Sequence, residues 1–91
     1  MLAYKPSSKF KQDVKRCNKR GWNLDLLEEV LKILIIPSKL PKENNDHPLR
    51  GEYKHYRECH IDDDWVLIYR IEGDELYLAR TGSHSDLFKN Y

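Results

Sequence analysis

Read for periodicity, the chain changes character once. Ser7 or Ser8 offers a helix N-cap, and Phe10, Val14 and Cys17 then recur at i, i+4 and i+7, so a helix with one apolar stripe is predicted up to Arg20, with Gly21 as its stop. Asn23 offers a second N-cap and Asp25 places an acid in the first turn. Leu24, Leu27, Val30, Leu31 and Leu34 continue at helical spacing until Pro37 ends the segment. Two helices joined by so few residues are expected to form an antiparallel pair. Ahead of them, Leu2-Ala3-Tyr4 reads as a short strand ended by Pro6. From Pro37 to about Tyr53 no period survives, and Pro37, Pro41, Pro48 and Gly51 punctuate a long polar connection of the length that tends to be functional or disordered. The period then becomes two. Tyr56–Ile61 alternates, Trp65–Ile71 is almost entirely apolar, and Glu75–Thr81 alternates again, with turns at Asp62-Asp63-Asp64 and Glu72-Gly73-Asp74. A strand, two helices, a loop, a three-stranded antiparallel meander and a short tail make an α+β class with helices against one face of a sheet. Trp65, Leu67 and Tyr69 share one face of the middle strand and are assigned to the core.

Length supports one domain over residues 1–91, since two cores of half that size would each fall near the limit for unaided folding. With 40% hydrophobic, 11% aromatic, four Gly and four Pro, the chain is neither disordered nor collagen-like. The net charge of +1 conceals an asymmetry: residues 1–22 carry seven basic side chains and one acid, the remainder nine basic and fourteen acidic. The basic set, Lys5, Lys9, Lys11, Lys15, Arg16, Lys19 and Arg20, suggests a face for a polyanion, although such runs often only solvate a helix. Cys17 and Cys59 lack CxxC spacing and do not make a disulfide framework. The apolar run Ile33–Ile36 is far below the ~18 residues of a membrane span, and no leader pattern opens the chain, so a soluble cytoplasmic protein without membrane association is expected.

His47, His55, His60 and His84 all fall in the second half, in loops or at strand ends. Alternation puts Glu58 and His60 on one sheet face, with Arg57, Cys59 and Ile61 on the other. Asp64 opens the next strand, Arg80 ends the last one, and Thr81-Gly82-Ser83 presents His84. Imidazoles, carboxylates and a guanidinium on one face are the groups that metal-free RNA cleavage uses: a base for the 2′-hydroxyl, a cation for the phosphorane and an acid for the leaving 5′-oxygen. Four His and two Cys also permit a zinc reading, but none pairs at a zinc-finger spacing.

The blocks Asp46-His47-Pro48-Leu49-Arg50-Gly51, Tyr56-Arg57-Glu58-Cys59-His60-Ile61, Asp64-Trp65-Val66-Leu67-Ile68-Tyr69 and Arg80-Thr81-Gly82-Ser83-His84-Ser85-Asp86-Leu87-Phe88 closely resemble, in order and spacing, the YafQ branch of the RelE/ParE toxin superfamily of bacterial type II toxin–antitoxin modules. The resemblance implies a RelE-like α+β fold: a mostly antiparallel sheet against two N-terminal helices, with a short C-terminal helix. It implies a toxin that enters the ribosomal A site, cleaves mRNA there without a metal or other cofactor, and is silenced by an antitoxin protein, expected to be of ribbon-helix-helix type, that forms a DNA-binding complex with it. By position, His84 corresponds to the family's catalytic histidine and is expected to be the general acid. His47 and His60 match further active-site imidazoles, Asp64 the carboxylate before the Trp, Arg80 an arginine on the scissile phosphate, and Phe88 an aromatic that holds a base. Glu58, assigned with Phe88 to substrate contact, stands where an enterobacterial relative has Asp. Lys9, Lys11, Lys15, Arg16, Lys19 and Arg20 are expected to grip ribosomal RNA. Two other readings compete: a non-catalytic toxin of the same fold, as in ParE-like members that act on DNA gyrase and lack these histidines, and a small RNA-binding module.

Overall fold

The computed structural model describes residues 1–36 and 40–88. Strand β1 (Ala3–Pro6) leads into α1 (Ser8–Lys19) and α2 (Leu24–Ile35). A two-residue strand β2 (His47–Pro48) follows, then β3 (Arg57–Asp62), β4 (Trp65–Glu72), β5 (Glu75–Gly82) and the one-turn helix α3 (His84–Leu87). The caps are those expected. Ser7 Oγ accepts from the Phe10 N–H at 2.9 Å and also donates to the Ala79 carbonyl at 2.8 Å, fastening the start of α1 to β5. Gly21, at φ 79°, ends α1, and Asn23 Oδ1 caps α2. Pro37, the expected terminator of α2, lies outside the described residues; the helix ends at Ile35.

The sheet order is β1-β5-β4-β3-β2. The meander is antiparallel, but β1 lies parallel to β5 on one edge, with Ala3 opposite Glu75 and Pro6 opposite Leu78. The connection read as patternless is built. Leu40 is buried, Lys42–Asn44 and Gly51–Tyr53 form 3₁₀ turns, and His47–Pro48 adds the other edge strand beside β3. A strand of two residues carries no detectable period, and its Pro is tolerated because the strand is an edge.

Helices cover one face. α1 packs on β5 and α2 on β3, so each finds its main neighbour in the sheet rather than in the other helix. Beneath them Phe10, Cys17, Leu27, Val30 and Leu34 meet Cys59, Trp65, Leu67, Tyr69, Leu76 and Leu78. The opposite face holds a smaller cluster in which Val66, Ile68 and Leu87 pack with Leu49, Tyr53, Tyr56, Ala79 and Phe88. Burial on both faces explains why β4 is apolar from Trp65 to Tyr69 rather than alternating. One position breaks the α1 stripe: Asp13 is 1% exposed.

Candidate active site

Strand pairing places His47 directly opposite Glu58 and sets His60 two residues further along β3 on the same face. The register that brings His47 there is held by Asp46. Its carboxylate accepts from the Tyr69 hydroxyl at 2.8 Å and from Arg57 Nε at 3.0 Å. Burial, with Asp46 beside it, raises the Tyr69 hydroxyl above its ordinary range, so it stays a donor. Burial pushes the Cys59 thiol up to about 12, which makes it an inert core group. On the loop side Asn44 Nδ2 donates to the His60 carbonyl at 2.7 Å.

His84 enters from the far end. Ser83 caps α3, its Oγ accepting from the Asp86 N–H while Asp86 Oδ2 accepts from the Ser83 N–H. This reciprocal box fixes the first turn and points the His84 ring back over the sheet. His84 Nε2 lies 2.9 Å from Glu58 Oε1, and Nδ1 lies 2.7 Å from Asp64 Oδ1, which also accepts the His84 backbone N–H at 3.2 Å. Carboxylates accept only, so an imidazole bonded to one at each nitrogen is held as the cation. Partial burial opposes that charge, but the bonds to Glu58 and Asp64 outweigh it, and the His84 pKa is raised above its ordinary value. The same hydrogen bonds from His84 lower the pKa of Asp64.

His47 Nε2 and His60 Nε2 each stand 3.5 Å from Glu58 Oε1, so three imidazoles converge on one carboxylate oxygen whose side chain is 4% exposed. His47 Nδ1 faces the Pro48 carbonyl at 3.2 Å. A carbonyl cannot donate, so Nδ1 carries the proton there, and in the neutral ring Nε2 keeps its lone pair. His47, Leu49, Glu58, His60, His84 and Phe88 line a cleft of about 400 Å³. Phe88 stacks on His84 with centroids 5.9 Å apart, and Tyr53 meets Phe88 edge-on at 5.8 Å. His47, Glu58 and His60 also offer three ligand atoms within 4.8 Å of one another, a set able to hold a metal ion.

The structure therefore brings together His47, Glu58, His60, His84 and Phe88, with Asp64 behind His84. It sets the basic residues elsewhere. Arg80 does not line the cleft. Its Nε and Nη2 fork onto the Asp13 carboxylate at 2.7 and 3.1 Å, and its charge also faces the Tyr53 hydroxyl. Arg16 bonds Asp13 at 2.9 Å, and Arg20 forks onto both oxygens of Asp86 at 2.7 and 2.9 Å. Lys9, Lys11, Lys15 and Lys19 are exposed and make no ion pair among the described residues. Lys11, Lys15 and Lys19, four apart, form one free ridge along α1. Glu58, expected to touch substrate, lines the cleft and is also the buried acceptor under the imidazoles. Sequence reasoning passed over Asp13, Asp46 and Asp86. Asp13 left a trace as a charged residue within the apolar stripe, and Asp46 and Asp86 stood in the quoted blocks without a role.

A family model described as the bacterial toxin YafQ of type II toxin–antitoxin systems matches residues 2–89. The mRNA interferase toxin YafQ of Escherichia coli K12 is 39% identical over 83 residues, 90% of either chain. A crystal structure of the E. coli DinJ–YafQ complex superposes with a TM-score of 0.89 at 36% identity, covering 97% of this chain and 99% of the other. A metal-bound toxin from Helicobacter pylori gives a TM-score of 0.90 at 42% identity, covering 97% and 100%.

Proposed function

The chain belongs to the YafQ family of bacterial type II toxins, and we propose that it is an mRNA interferase that cuts ribosome-bound message in the A site, working in the cytoplasm as one domain. The observation that carries the reading is the convergence of His47, His60 and His84 on the single buried carboxylate of Glu58. A non-catalytic toxin or a plain RNA-binding module has no use for a buried carboxylate that holds one imidazole as the cation with two more beside it.

In the proposed reaction His47 Nε2 removes the 2′-hydroxyl proton, and the 2′-oxygen attacks the adjacent phosphorus. The bond from phosphorus to the 5′-oxygen breaks as His84 gives its Nε2 proton to that oxygen, which replaces Glu58 Oε1 as acceptor. The products are a 2′,3′-cyclic phosphate and a 5′-hydroxyl. His60 donates a hydrogen bond to the phosphorane, whose added charge a fixed donor stabilises more than it does the ground state. Asp64 orients His84 and favours its charged form. Phe88 supplies a stacking face for a base beside the scissile bond. Arg80, held by Asp13 outside the cleft, acts through its field and its hold on β5 rather than by direct phosphate contact. The Lys11, Lys15 and Lys19 ridge, with Lys9, gives the ribosomal RNA contact.

The E. coli relative is crystallised with DinJ, and this chain is read as silenced in the same manner by a protein antitoxin. Because an H. pylori relative is metal-bound, a divalent transition ion at His47, Glu58 and His60 is a second reading. Such an ion occupies the nitrogens that the proton chemistry requires, so it is read as an inhibitor. Induction without the antitoxin, with mapping of mRNA 5′ ends and of their end groups, tests the function. In-frame cuts leaving a 5′-hydroxyl are expected. Intact message, or 5′-phosphate ends, overturns the reading.

A further inference from the structure

Two side chains outside the cleft tie α1 to the short helix that carries His84. Arg20, the C-cap of α1, forks onto Asp86 with Nη1–Oδ2 at 2.7 Å and Nη2–Oδ1 at 2.9 Å. Asp86 is also the residue that closes the α3 capping box by accepting from the Ser83 N–H, so the carboxylate holding Arg20 also shapes the turn that presents His84. Arg16 Nη2 approaches the same carboxylate at 3.8 Å while bonded to Asp13. Gly82 leaves room for this packing: a Cβ there would lie 2.9 Å from Arg16 Nη2 and 3.0 Å from Asp86 Oδ2. The guanidinium of Arg20 is steadied in turn by the Trp22 ring, 5.2 Å beneath it. A helix of one turn has too few internal bonds to hold its own orientation, so it takes its geometry from its anchors.

We propose that Arg20 and Asp86 form a clamp whose function is to position His84 between Glu58 and Asp64, making both positioning residues for cleavage rather than ribosome contacts. The inference rests on His84 acting as the proposed acid. Bidentate pairing gives the clamp directional precision that a single hydrogen bond lacks. Precision matters because a catalytic group displaced by about 1 Å can lose roughly a hundredfold in rate.

The test compares Arg20→Ala, Asp86→Asn and the double variant. Asparagine retains an oxygen for the Ser83 N–H, and Arg20 is exposed, so neither change opens the core. Two readouts are used: the single-turnover cleavage rate at saturating toxin, and the midpoint of the His84 ring resonances titrated by NMR in the free protein. Among the described residues, the titratable groups facing that ring include Glu58, Asp64 and His60, with His47 beyond Glu58 and Asp86 behind. Charge effects at a distance would move the midpoint in opposite directions, up when the Arg20 cation is removed and down when the Asp86 anion is removed. Loss of positioning loosens the bonds to Glu58 and Asp64 in both and moves it down in both. The expected result is a shared downward shift and a rate drop of about tenfold or more in each single variant. The double variant should be no slower than the worse single one, since both abolish the same ion pair. Opposite shifts, or an Arg20→Ala variant that loses ribosome affinity at unchanged saturating rate, overturn the clamp. Shared shifts in the two variants, with a wild-type protein that does not cleave, would uphold the clamp's hold on His84 and refute the proposed function instead.

Discussion

Asp13 offers the sharpest energetic prediction. Its carboxylate is 1% exposed and accepts from Arg80 Nε and Nη2, Arg16 Nη2 and the Thr81 N–H, the last at 3.1 Å. β1 pairs with β5 only as far as Pro6 opposite Leu78, so Asp13 takes over the donors of the β5 edge where the strand partner stops. Asp13→Ala removes every one of those acceptors and leaves Arg80, whose side chain is 18% exposed, with its charge uncompensated. Breaking a buried pair from one side costs about 3–5 kcal/mol. Arg16 is 36% exposed and can turn to water, which argues for the lower end, about 3 kcal/mol. At about 4–8 °C per kcal/mol for a domain of this size, Tm should fall by roughly 12–24 °C. Asp13→Asn keeps one acceptor oxygen and loses the charge assistance, so about 1–2 kcal/mol is expected. Urea unfolding followed by tryptophan fluorescence measures both. A loss below about 1 kcal/mol in Asp13→Ala would refute the assignment of Asp13 as the anchor of the β5 edge, as would an alanine variant no worse than the asparagine one.

His84→Ala should lower the single-turnover rate by about 10²–10⁴ with the fold retained, and a variant that still arrests growth fully would remove His84 from the mechanism. The His84–Asp64 interaction operates between the lowered pKa of Asp64 and the raised pKa of His84. The stability due to His84 is fully present below the ordinary imidazole value, about 6.5, and is lost as pH rises through the raised folded value. The Asp64 side chain is 62% exposed, so Asp64→Asn should cost at most about 0.5 kcal/mol near pH 6 and less at pH 9, by urea melts. In the same variant the alkaline fall in cleavage should move to lower pH; an unmoved limb contradicts the acid role. Zn²⁺ added to the free protein should bind by calorimetry, inhibit cleavage, and bind at least about tenfold more weakly in His60→Ala; equal affinity would place the metal elsewhere. Replacing Lys11, Lys15 and Lys19 together with Gln should weaken ribosome binding at nearly unchanged saturating rate. Its log–log salt dependence should flatten by about 0.7–0.9 for each phosphate no longer neutralised, and an unchanged slope would return the ridge to a merely solvating role.

Features that depend on neighbours along the chain were legible before any fold was known. Ser7, Gly21 and Asn23 mark helix ends because capping is settled within a turn. Phe10 and Cys17 are buried under the sheet because a 3.6-residue period allows one face only, and Trp65, Leu67 and Tyr69 share the helix-covered face because strands alternate. The same alternation put Glu58 and His60 together on the opposite face. Whatever depends on residues far apart in the chain emerged only on folding. Pairing of β1 with β5 rather than with a nearer strand, and addition of His47–Pro48 beside β3, are choices of sheet edge that no local period encodes. The partners of charges were hidden for the same reason. Arg80 and Arg20 look alike in sequence to the lysines of α1, yet Asp13 and Asp86, 67 and 66 residues away from them, bind the two guanidinium groups and leave the lysines free. A charge acquires its role from the dielectric and the counter-charge around it, and for Glu58 both arrive only when β2, β3 and α3 close over one carboxylate oxygen.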